Sequence, residues 1–314
     1  MKKDKDGRLV PFYRATDLLT KVPLKKFAEI SIQEVVNVDS SNIEHSIWTK
    51  IVKLIEKNCE EFDGFVVVHG TDTMAYTASA VSYALQNLAK PVVFTGSQKA
   101  LDDLPSDGYG NLINALSVAV KSVAGVFIVF GSKILQGNRA TKVSESALDA
   151  FDSPMVLPRG TITLEAQIQY APTIKHGKLI SKSEFDPNIL VIRVTPGLAS
   201  DYLETIVRTT DCKGIILEGF GAGNIPFSLL PFLKTAKKKG IPVVVLSQCP
   251  EGATQMRLYE VGAHALEGGA IAGLDMTIEA TVTKLMWGLA QNKSREEIQE
   301  LFEKDIAGEV TLRE

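Results

Sequence analysis

Apolar and polar positions alternate in blocks along the chain, and the clearest block runs from residue 65 to residue 88. Residues 65–68 are Phe-Val-Val-Val, an unbroken aromatic and β-branched run that is typical of a buried strand. The polar turn His-Gly-Thr-Asp-Thr follows at 69–73. Small and apolar residues then recur at helical spacing as far as Leu88. The pattern therefore predicts a strand, a tight polar turn and a helix.

Strands and helices continue to alternate on both sides of this block. The alternating segment 29–38 and the short apolar runs at 91–95 and 125–130 predict strands. Apolar residues at helical spacing predict helices at 47–59 and 111–120. This succession of strands and helices favours a doubly wound, mainly parallel sheet.

A change of composition divides the chain into two parts. Residues 173–188 are richer in Pro, Gly, Lys and Ser than their surroundings. We predict that they link a larger α/β domain at 1–172 to a smaller one, with a parallel sheet, at 189–314. The predicted elements of the second domain are strands at 189–195, 214–217 and 242–246, and helices at 201–208, 232–239, 277–291 and from the capping box at Ser294 and Glu297 onward.

Composition argues against several classes of protein. A chain of 314 residues with 45% hydrophobic and 23% charged residues is ordinary for a globular protein of two domains. The formal net charge of −3 gives no indication of a nucleic-acid surface, and no run approaches the ~18 apolar residues of a membrane span. The three cysteines and four histidines show no metal-site spacing. The sparse cysteines, and a start without the apolar run of a secretory signal, predict a cytoplasmic protein.

The polar turn at 69–73 is the first candidate for a functional site. In an open α/β sheet, such turns lie beyond the carboxyl ends of strands, where ligands bind. The amino terminus of the following helix adds free N–H groups and a positive dipole end. Thr71 and Asp72 would lie at that position. The same two residues also suit a simple helix cap, and spacing alone leaves this alternative open.

Seven short motifs, taken together, carry a resemblance to a known family. They are residues 69–73, Asp39-Ser40-Ser41, Thr95-Gly96-Ser97-Gln98, Ser106-Asp107-Gly108 with Asn111-Leu112, the run from Gly137 to Lys142, the run from Gly221 to Asn224, and Asp275-Met276-Thr277 with Glu279-Ala280-Thr281. In their order and spacing along the chain, over nearly its whole length, they resemble the bacterial-type asparaginases, most closely the cytoplasmic type I subgroup. The resemblance implies a larger and a smaller α/β domain. It also implies hydrolysis of L-asparagine to L-aspartate and ammonia through a threonine acyl-enzyme, with no cofactor.

The resemblance implies catalytic roles for three residues. Thr71, Asp72 and Lys142 match the family's rigid triad, in which the lysine assists a threonine hydroxyl. Asp72 would also accept the substrate α-ammonium in a charge-assisted bond, and the backbone N–H of Thr71 would stabilise the oxyanion. Without the resemblance, Lys142 would be predicted to be a solvated surface lysine.

The resemblance also implies a set of substrate-binding residues. The turn at 39–41 suits an α-carboxylate, although an ordinary Ser/Asp turn is the alternative. Ser97 matches a position whose backbone contacts the substrate amide. Asn224 matches a residue that reaches the site of a neighbouring subunit, which implies a homodimer or homotetramer. The full set is Asp39, Ser40, Ser41, Gly70, Thr71, Asp72, Ser97 and Asn224.

Two other functions stay open at this point. One is a non-catalytic homologue that binds an amino acid. The other is the asparaginase-like subunit of a tRNA-dependent amidotransferase, which carries an extra amino-terminal domain that this sequence does not show. A dinucleotide site in the glycine-rich run at 219–224 is not expected, because Asn224 stands where the fingerprint needs its third glycine.

The amino terminus departs from the family pattern. Asparaginases begin with a strand ending in Thr-Gly-Gly-Thr-Ile, which carries the nucleophilic threonine, and this motif is missing here. Residues 2–19 resemble the mobile loop that follows it. Arg8 occupies roughly the position of the loop tyrosine and Tyr13 is the nearest aromatic residue, so neither is assigned that role. We favour a truncated or mis-started chain over a natural form that lacks the strand.

We therefore predict that the 314-residue chain is poorly soluble and has no measurable asparaginase activity. Loss of one member of a catalytic unit removes nearly all of its rate, and loss of a central strand costs several kcal/mol, comparable with the stability of a domain. Adding a strand that ends in Thr-Gly-Gly-Thr-Ile before Met1 should restore both properties, and the genomic DNA upstream of the Met1 codon should encode it. A soluble, cooperatively folded 314-residue protein that hydrolyses asparagine would contradict this prediction and make Thr71 the nucleophile.

Overall fold

The protein is built from two compact α/β units. The computed structural model describes residues 2–3, 5–6, 9–10, 28–101, 103, 105–170 and 177–312. These divide into the units Met1–Ser183 and Glu184–Glu314. Each unit has its own main sheet with helices packed against it, which confirms the predicted α/β class.

The strands and helices of the first unit alternate as predicted as far as residue 130; the described residues beyond it form short strands that were not predicted. In chain order the elements of this unit are β1 (Lys2–Lys3), β2 (Leu9–Val10), α1 (His45–Asn58), β3 (Phe65–Val68), α2 (Met74–Ala84), β4 (Leu85–Gln86), β5 (Pro91–Thr95), α3 (Gly108–Ala119), β6 (Gly125–Phe130), β7 (Lys133–Gln136), β8 (Thr141–Lys142), β9 (Phe151–Asp152), β10 (Gly160–Ile162), β11 (Ala166–Ile168) and β12 (Ile180–Ser181). A 3₁₀ turn at Ser40–Asn42 precedes α1.

The main sheet of the first unit is mixed rather than mainly parallel. Its order is β11-β10-β7-β6-β5-β3. Strands β3, β5 and β6 run parallel, whereas β7, β10 and β11 are added antiparallel. The change of direction occurs at Gly131-Ser132, where only two residues separate β6 from β7. Gly131 has a φ of +56°, a conformation that glycine adopts without steric cost and that a two-residue hairpin commonly requires.

Two local predictions for the first unit are wrong, and both failures have tertiary causes. Residues 29–38 form no strand, although their apolar residues alternate. Among the described residues they have no ladder partner, and a strand is defined by its pairing. Helix α2 ends at Ala84 instead of continuing to Leu88, because Leu85 and Gln86 pair with β12.

The second unit has a purely parallel sheet of order β13-β14-β15-β16. Its predicted strands and helices are present within a few residues of their expected bounds. The helix α6 and the strand β16 were not predicted. In chain order its elements are β13 (Ile189–Arg193), α4 (Ser200–Thr209), β14 (Gly214–Gly219), α5 (Leu230–Lys238), β15 (Val243–Ser247), α6 (Glu260–Glu267), β16 (Ala270–Ala272), α7 (Ile278–Ala290) and α8 (Arg295–Phe302).

The helix ends of the second unit follow their sequence signals. Thr277 caps α7 by accepting a hydrogen bond from the Ala280 N–H at 3.2 Å. Ser294 and Glu297 form the predicted capping box of α8, in which each side chain bonds the backbone N–H of the other residue. Because each of these caps joins residues only three positions apart, the sequence alone identifies them.

A buried ion pair holds the segment after α8 against α7. The side chains of Lys284 and Glu309 are both fully buried and form an ion pair. Lys284 Nζ also donates to the Lys304 carbonyl at 2.8 Å, and Glu309 accepts from the Ala307 N–H at 2.7 Å. Burial raises the pKa of the Glu309 carboxyl, but the Lys284 ammonium and these hydrogen bonds lower it below its usual value. Glu309 is therefore ionised.

We predict that Glu309→Gln destabilises the protein by about 3–5 kcal/mol, since it leaves the Lys284 charge buried without its counter-ion. Denaturant unfolding followed by circular dichroism measures the change in free energy of unfolding. The matched control is Glu300→Gln, which breaks the exposed Glu300–Lys304 pair and should cost less than about 1 kcal/mol. Equal losses in the two variants would show that the buried pair makes no special contribution.

Candidate active site

The parallel pairing of β3 with β5 brings two polar turns together. In its register, Val68 lies opposite Thr95, so the chains leave the sheet at the same edge. The His69 N–H donates to the Thr95 carbonyl at 2.8 Å and extends the ladder by one residue. Residues 69–73 and 96–98 therefore lie side by side beyond the carboxyl ends of these strands, where open α/β sheets bind ligands.

Two glycines allow the turns to pack closely. A Cβ at Gly70 would lie 2.6 Å from Ser40 Oγ, and a Cβ at Gly96 would lie 2.2 Å from the His69 carbonyl oxygen. Both distances are too short for any side chain. Gly70 is thus required for the approach of the turn at 39–41, in addition to any contact with a substrate.

The turn at 39–41 is held by its own side chains and by the neighbouring turn. Asp39 Oδ1 accepts hydrogen bonds from the Ser41 hydroxyl at 2.7 Å and the Ser41 N–H at 2.9 Å, and these bonds lower the pKa of the Asp39 carboxyl. Ser40 is buried. Its Oγ accepts from the Asp72 N–H at 3.3 Å, and its carbonyl accepts from Thr73 Oγ1 at 2.7 Å. The turn is therefore fixed beside Asp72.

Lys142 lies within hydrogen-bonding distance of both Thr71 and Asp72. Lys142 Nζ is 2.9 Å from Thr71 Oγ1 and 2.6 Å from Asp72 Oδ1. The Lys142 side chain is only 17% exposed, whereas that of Asp72 is 59% exposed. Lys142 lies on β8, which pairs with β9 opposite the buried Phe151. An ammonium held in this way polarises the Thr71 hydroxyl and stabilises negative charge that develops on it.

Gln98 also contacts Thr71, and the sequence motif gave it no role. Thr71 Oγ1 donates to Gln98 Oε1 at 3.0 Å. Gln98 Nε2 in turn donates to the carbonyls of Glu145 at 2.9 Å and Ala147 at 3.2 Å. Because these carbonyls can only accept, the amide is fixed with its oxygen toward Thr71. No local signal could have identified this contact, since its partners are distant in the sequence.

The motif containing Asp107 and Asn111 braces the turn at 96–98. Asp107 accepts from the backbone N–H groups of Gln98 and Lys99 at 2.9 and 3.0 Å. Asn111 Nδ2 donates to the Gly96 carbonyl at 2.9 Å. Ser97 lies half-buried on this turn, between the braced residues. The structure thus gives a scaffolding role to residues that the sequence identified only as a family motif.

Asn224 lies in the second unit, in a tight turn after β14. The backbone groups of Phe220 and Asn224 bond one another at 2.9 and 2.8 Å. Asn224 Oδ1 is buried and has no hydrogen-bond partner in the part of the chain that the structure describes. Arg8 and Tyr13, the two residues near the expected position of the mobile-loop tyrosine, lie outside the described residues.

Among the described residues, no group of three or more His, Cys, Asp or Glu side chains could hold a metal ion. In the same residues, each helix is too short or too polar to cross a membrane.

Comparison with protein families assigns both parts of the chain. The family described as Asparaginase, N-terminal, matches residues 1–174. The family described as Glutaminase/Asparaginase C-terminal domain matches residues 188–302. Together these matches span most of the chain.

Individual relatives give the same result. The L-asparaginase of Thermococcus kodakarensis is 41% identical over 292 residues, which cover 90% of this chain and 87% of that protein. L-asparaginase 1 of Escherichia coli is 39% identical, covering 87% of this chain and 82% of that protein. A structure of the thermostable L-asparaginase from Thermococcus kodakarensis superimposes with a TM-score of 0.90 at 38% identity, covering 99% of this chain and 96% of that one.

The amidotransferase alternative has a weaker match. One subunit of the glutamyl-tRNA(Gln) amidotransferase of Pyrococcus abyssi is 33% identical over 97% of this chain and 72% of that protein. Its identity is lower than that of the two asparaginases. On the motifs, the geometry of the site and these matches, the chain belongs to the asparaginase family.

Proposed function

We propose that this protein is an L-asparaginase, which hydrolyses L-asparagine to L-aspartate and ammonia through a threonine acyl-enzyme and without a cofactor. The observation that carries the proposal is the contact of Lys142 Nζ with both Thr71 Oγ1 and Asp72 Oδ1. The sequence identity to proteins named L-asparaginase supports the choice of substrate.

In the proposed mechanism, Lys142 prepares the Thr71 hydroxyl for the reaction. The ammonium donates to Thr71 Oγ1, while the hydroxyl proton is directed at Gln98 Oε1. The positive charge lowers the cost of negative charge on the threonine oxygen, and Asp72 balances the lysine charge in the resting site. When the attacking threonine oxygen bonds to the amide carbon, its proton passes to the departing amide nitrogen, which leaves as ammonia, and water then hydrolyses the threonine ester to L-aspartate. The Thr71 N–H stabilises the oxyanion that forms on the substrate amide.

Substrate binding is assigned to the turns that surround this contact. Asp72 uses Oδ1 for Lys142, and we propose that its other oxygen accepts the α-ammonium. The lowered pKa of Asp39, caused by its bonds from Ser41, keeps that carboxylate ionised. A substrate α-carboxylate would therefore bind hydroxyl and N–H groups of the turn at 39–41, displacing the Ser41 hydroxyl from Asp39 Oδ1, and would not bind the Asp39 carboxylate.

We also propose a subgroup, a compartment, domain bounds and an oligomeric state for the protein, in line with its family. The subgroup is type I and the compartment the cytoplasm, as the relation to L-asparaginase 1 supports. The domains are 1–172 and 189–314 with a linker at 173–188, in keeping with the family matches. The active form is a homodimer or homotetramer, and the buried Asn224 Oδ1, which has no partner within the described part of the chain, supports this. Analytical ultracentrifugation tests the oligomeric state, and cell fractionation tests the compartment.

The direct test is ammonia release from L-asparagine. Two forms are assayed in parallel, the 314-residue chain and the same chain preceded by a strand ending in Thr-Gly-Gly-Thr-Ile. Turnover by either form supports the proposal, and turnover by the first makes Thr71 the nucleophile. Calorimetric binding of asparagine without turnover by either form would favour the non-catalytic homologue. Turnover only with a partner subunit and tRNA would favour the amidotransferase.

The first variant to test is Lys142→Met in the active form. It keeps most of the side-chain volume and removes the charge beside Thr71. We expect kcat to fall by ~10²-fold or more, as for loss of an acid–base or oxyanion-stabilising group, with folding nearly unaffected.

Lys133→Met is a matched control. Lys133 is 24% exposed and pairs with Asp149 and Asp152 at 3.1 Å, but it is not placed in the catalytic machinery. We expect it to keep kcat within about tenfold of the original value, below the loss typical of a catalytic group. If the two lysine variants lose equal activity, Lys142 acts through structure and not through chemistry.

A second variant, Asp72→Asn, tests the proposed ammonium site. The substitution keeps the size of the side chain and removes its charge. We predict a large fall in kcat/KM for L-asparagine and a much smaller fall for succinamate, which lacks the α-amino group. Steady-state kinetics with both substrates measures the ratio, and an equal fall for both would remove the ammonium role from Asp72.

A further inference from the structure

His69 lies behind the proposed oxyanion donor, and both of its ring nitrogens are bonded. The residue is 9% exposed. Its Nδ1 lies 2.6 Å from the Gly70 carbonyl oxygen, and its Nε2 lies 2.9 Å from Thr77 Oγ1. Thr77 Oγ1 also accepts from the Trp48 indole N–H at 3.1 Å. These contacts form a continuous chain from Trp48 to Gly70.

The Gly70 carbonyl decides which ring nitrogen of His69 carries the proton. A carbonyl only accepts, so His69 Nδ1 must carry its proton. Nε2 is then the acceptor in the neutral ring and receives the Thr77 hydroxyl proton at 2.9 Å, for which the Thr73 carbonyl at 3.3 Å is the more distant alternative acceptor. The indole of Trp48 can only donate. Burial lowers the pKa of His69, against the opposing effect of the Gly70 carbonyl, and keeps the ring neutral. Phe94 packs edge-on at 6.2 Å between ring centroids.

The bond to Gly70 determines the direction of the next N–H. In a trans peptide, the carbonyl oxygen and the N–H point to opposite sides of the same plane. A Gly70 carbonyl held toward the buried imidazole therefore turns the Thr71 N–H away from the core. Within the described residues, that N–H forms no hydrogen bond, although the hydroxyl of the same residue is bonded on both sides by Lys142 and Gln98.

We propose that His69 is a positioning residue, which fixes the Gly70–Thr71 peptide so that the Thr71 N–H faces the reacting amide carbonyl. The inference rests on the proposed function, because it assigns the Thr71 N–H to the oxyanion. Preorganised donors are effective in catalysis because they need no reorientation when charge develops. The neutral imidazole contacts the Gly70 carbonyl and Thr77, and it acts through the Gly70–Thr71 peptide.

Three variants distinguish a positioning role of His69 from simple packing in the core. His69→Asn places an amide N–H near the position of Nδ1 and can still donate to the Gly70 carbonyl. His69→Gln places its amide nearer the position of Nε2 and keeps the contact with Thr77 only. Thr77→Val removes the Nε2 contact and leaves the Nδ1 contact in place. The set therefore separates the bond to Gly70 from packing and from the bond to Thr77.

We expect kcat of His69→Gln to fall ~10- to 100-fold, less than the loss on deleting an oxyanion donor outright, because the N–H is still present but no longer held. KM should not change, because the interaction acts only in the transition state. His69→Asn and Thr77→Val should keep kcat within about threefold, less than the effect expected for the oxyanion donor. Equal losses in His69→Asn and His69→Gln, or a loss confined to KM, would overturn the inference.

A second measurement does not depend on activity or on the folding of variants. In the ¹⁵N spectrum of the histidine side chains of the unsubstituted protein, His69 should show a protonated Nδ1 and an unprotonated Nε2 at neutral pH. The opposite tautomer would overturn the inference even if the enzyme is active. Absence of asparagine turnover both in the 314-residue chain and in the chain preceded by a strand ending in Thr-Gly-Gly-Thr-Ile would instead overturn the proposed function, and the tautomer would still decide whether the Gly70 carbonyl is held.

Discussion

The parallel register of β3 on β5 is the constraint on which the rest of the proposed site depends. It places Val68 opposite Thr95, so the residues that follow each strand leave the sheet at the same edge and at the same height. The turn that carries Thr71 and the turn that carries Gln98 are therefore brought together. A shift of one residue would turn every side chain to the other face and separate the two turns.

Close packing beyond the strands then requires glycine and a dense set of hydrogen bonds. Gly70 and Gly96 have no room for a Cβ, because the turn at 39–41 and the His69 carbonyl lie directly against them. Asp107 and Asn111 satisfy the backbone groups that this crowding would otherwise leave unpaired. Since a buried backbone group without a partner is costly, these side chains are part of the structure that holds the site.

Among the described residues, Lys142 is the cation that contacts both Thr71 and Asp72. Lys142 is mostly buried, and its charge is shared between a hydroxyl and an exposed carboxylate. The buried Lys284–Glu309 pair of the second unit is different, because both members are fully enclosed. In the first case a partly open carboxylate can exchange partners with a charged substrate, whereas in the second case the pair can only maintain the fold.

The sequence by itself determined the elements whose signals are local, and the tertiary structure decided the rest. Periodicity located the strand at 65–68 and the helix that follows its polar turn. The spacing of Ser294 and Glu297 located the capping box. Propensity and capping both act within a few residues, so these signals are local. The family motifs identified Thr71 and Lys142 as candidates. Only the folded chain showed that residues 29–38 lack a ladder partner among the described residues, that α2 ends where β12 pairs with its continuation, and that Gln98 lies against Thr71. Pairing and side-chain contact depend on residues distant in the sequence, and no local pattern records those distances.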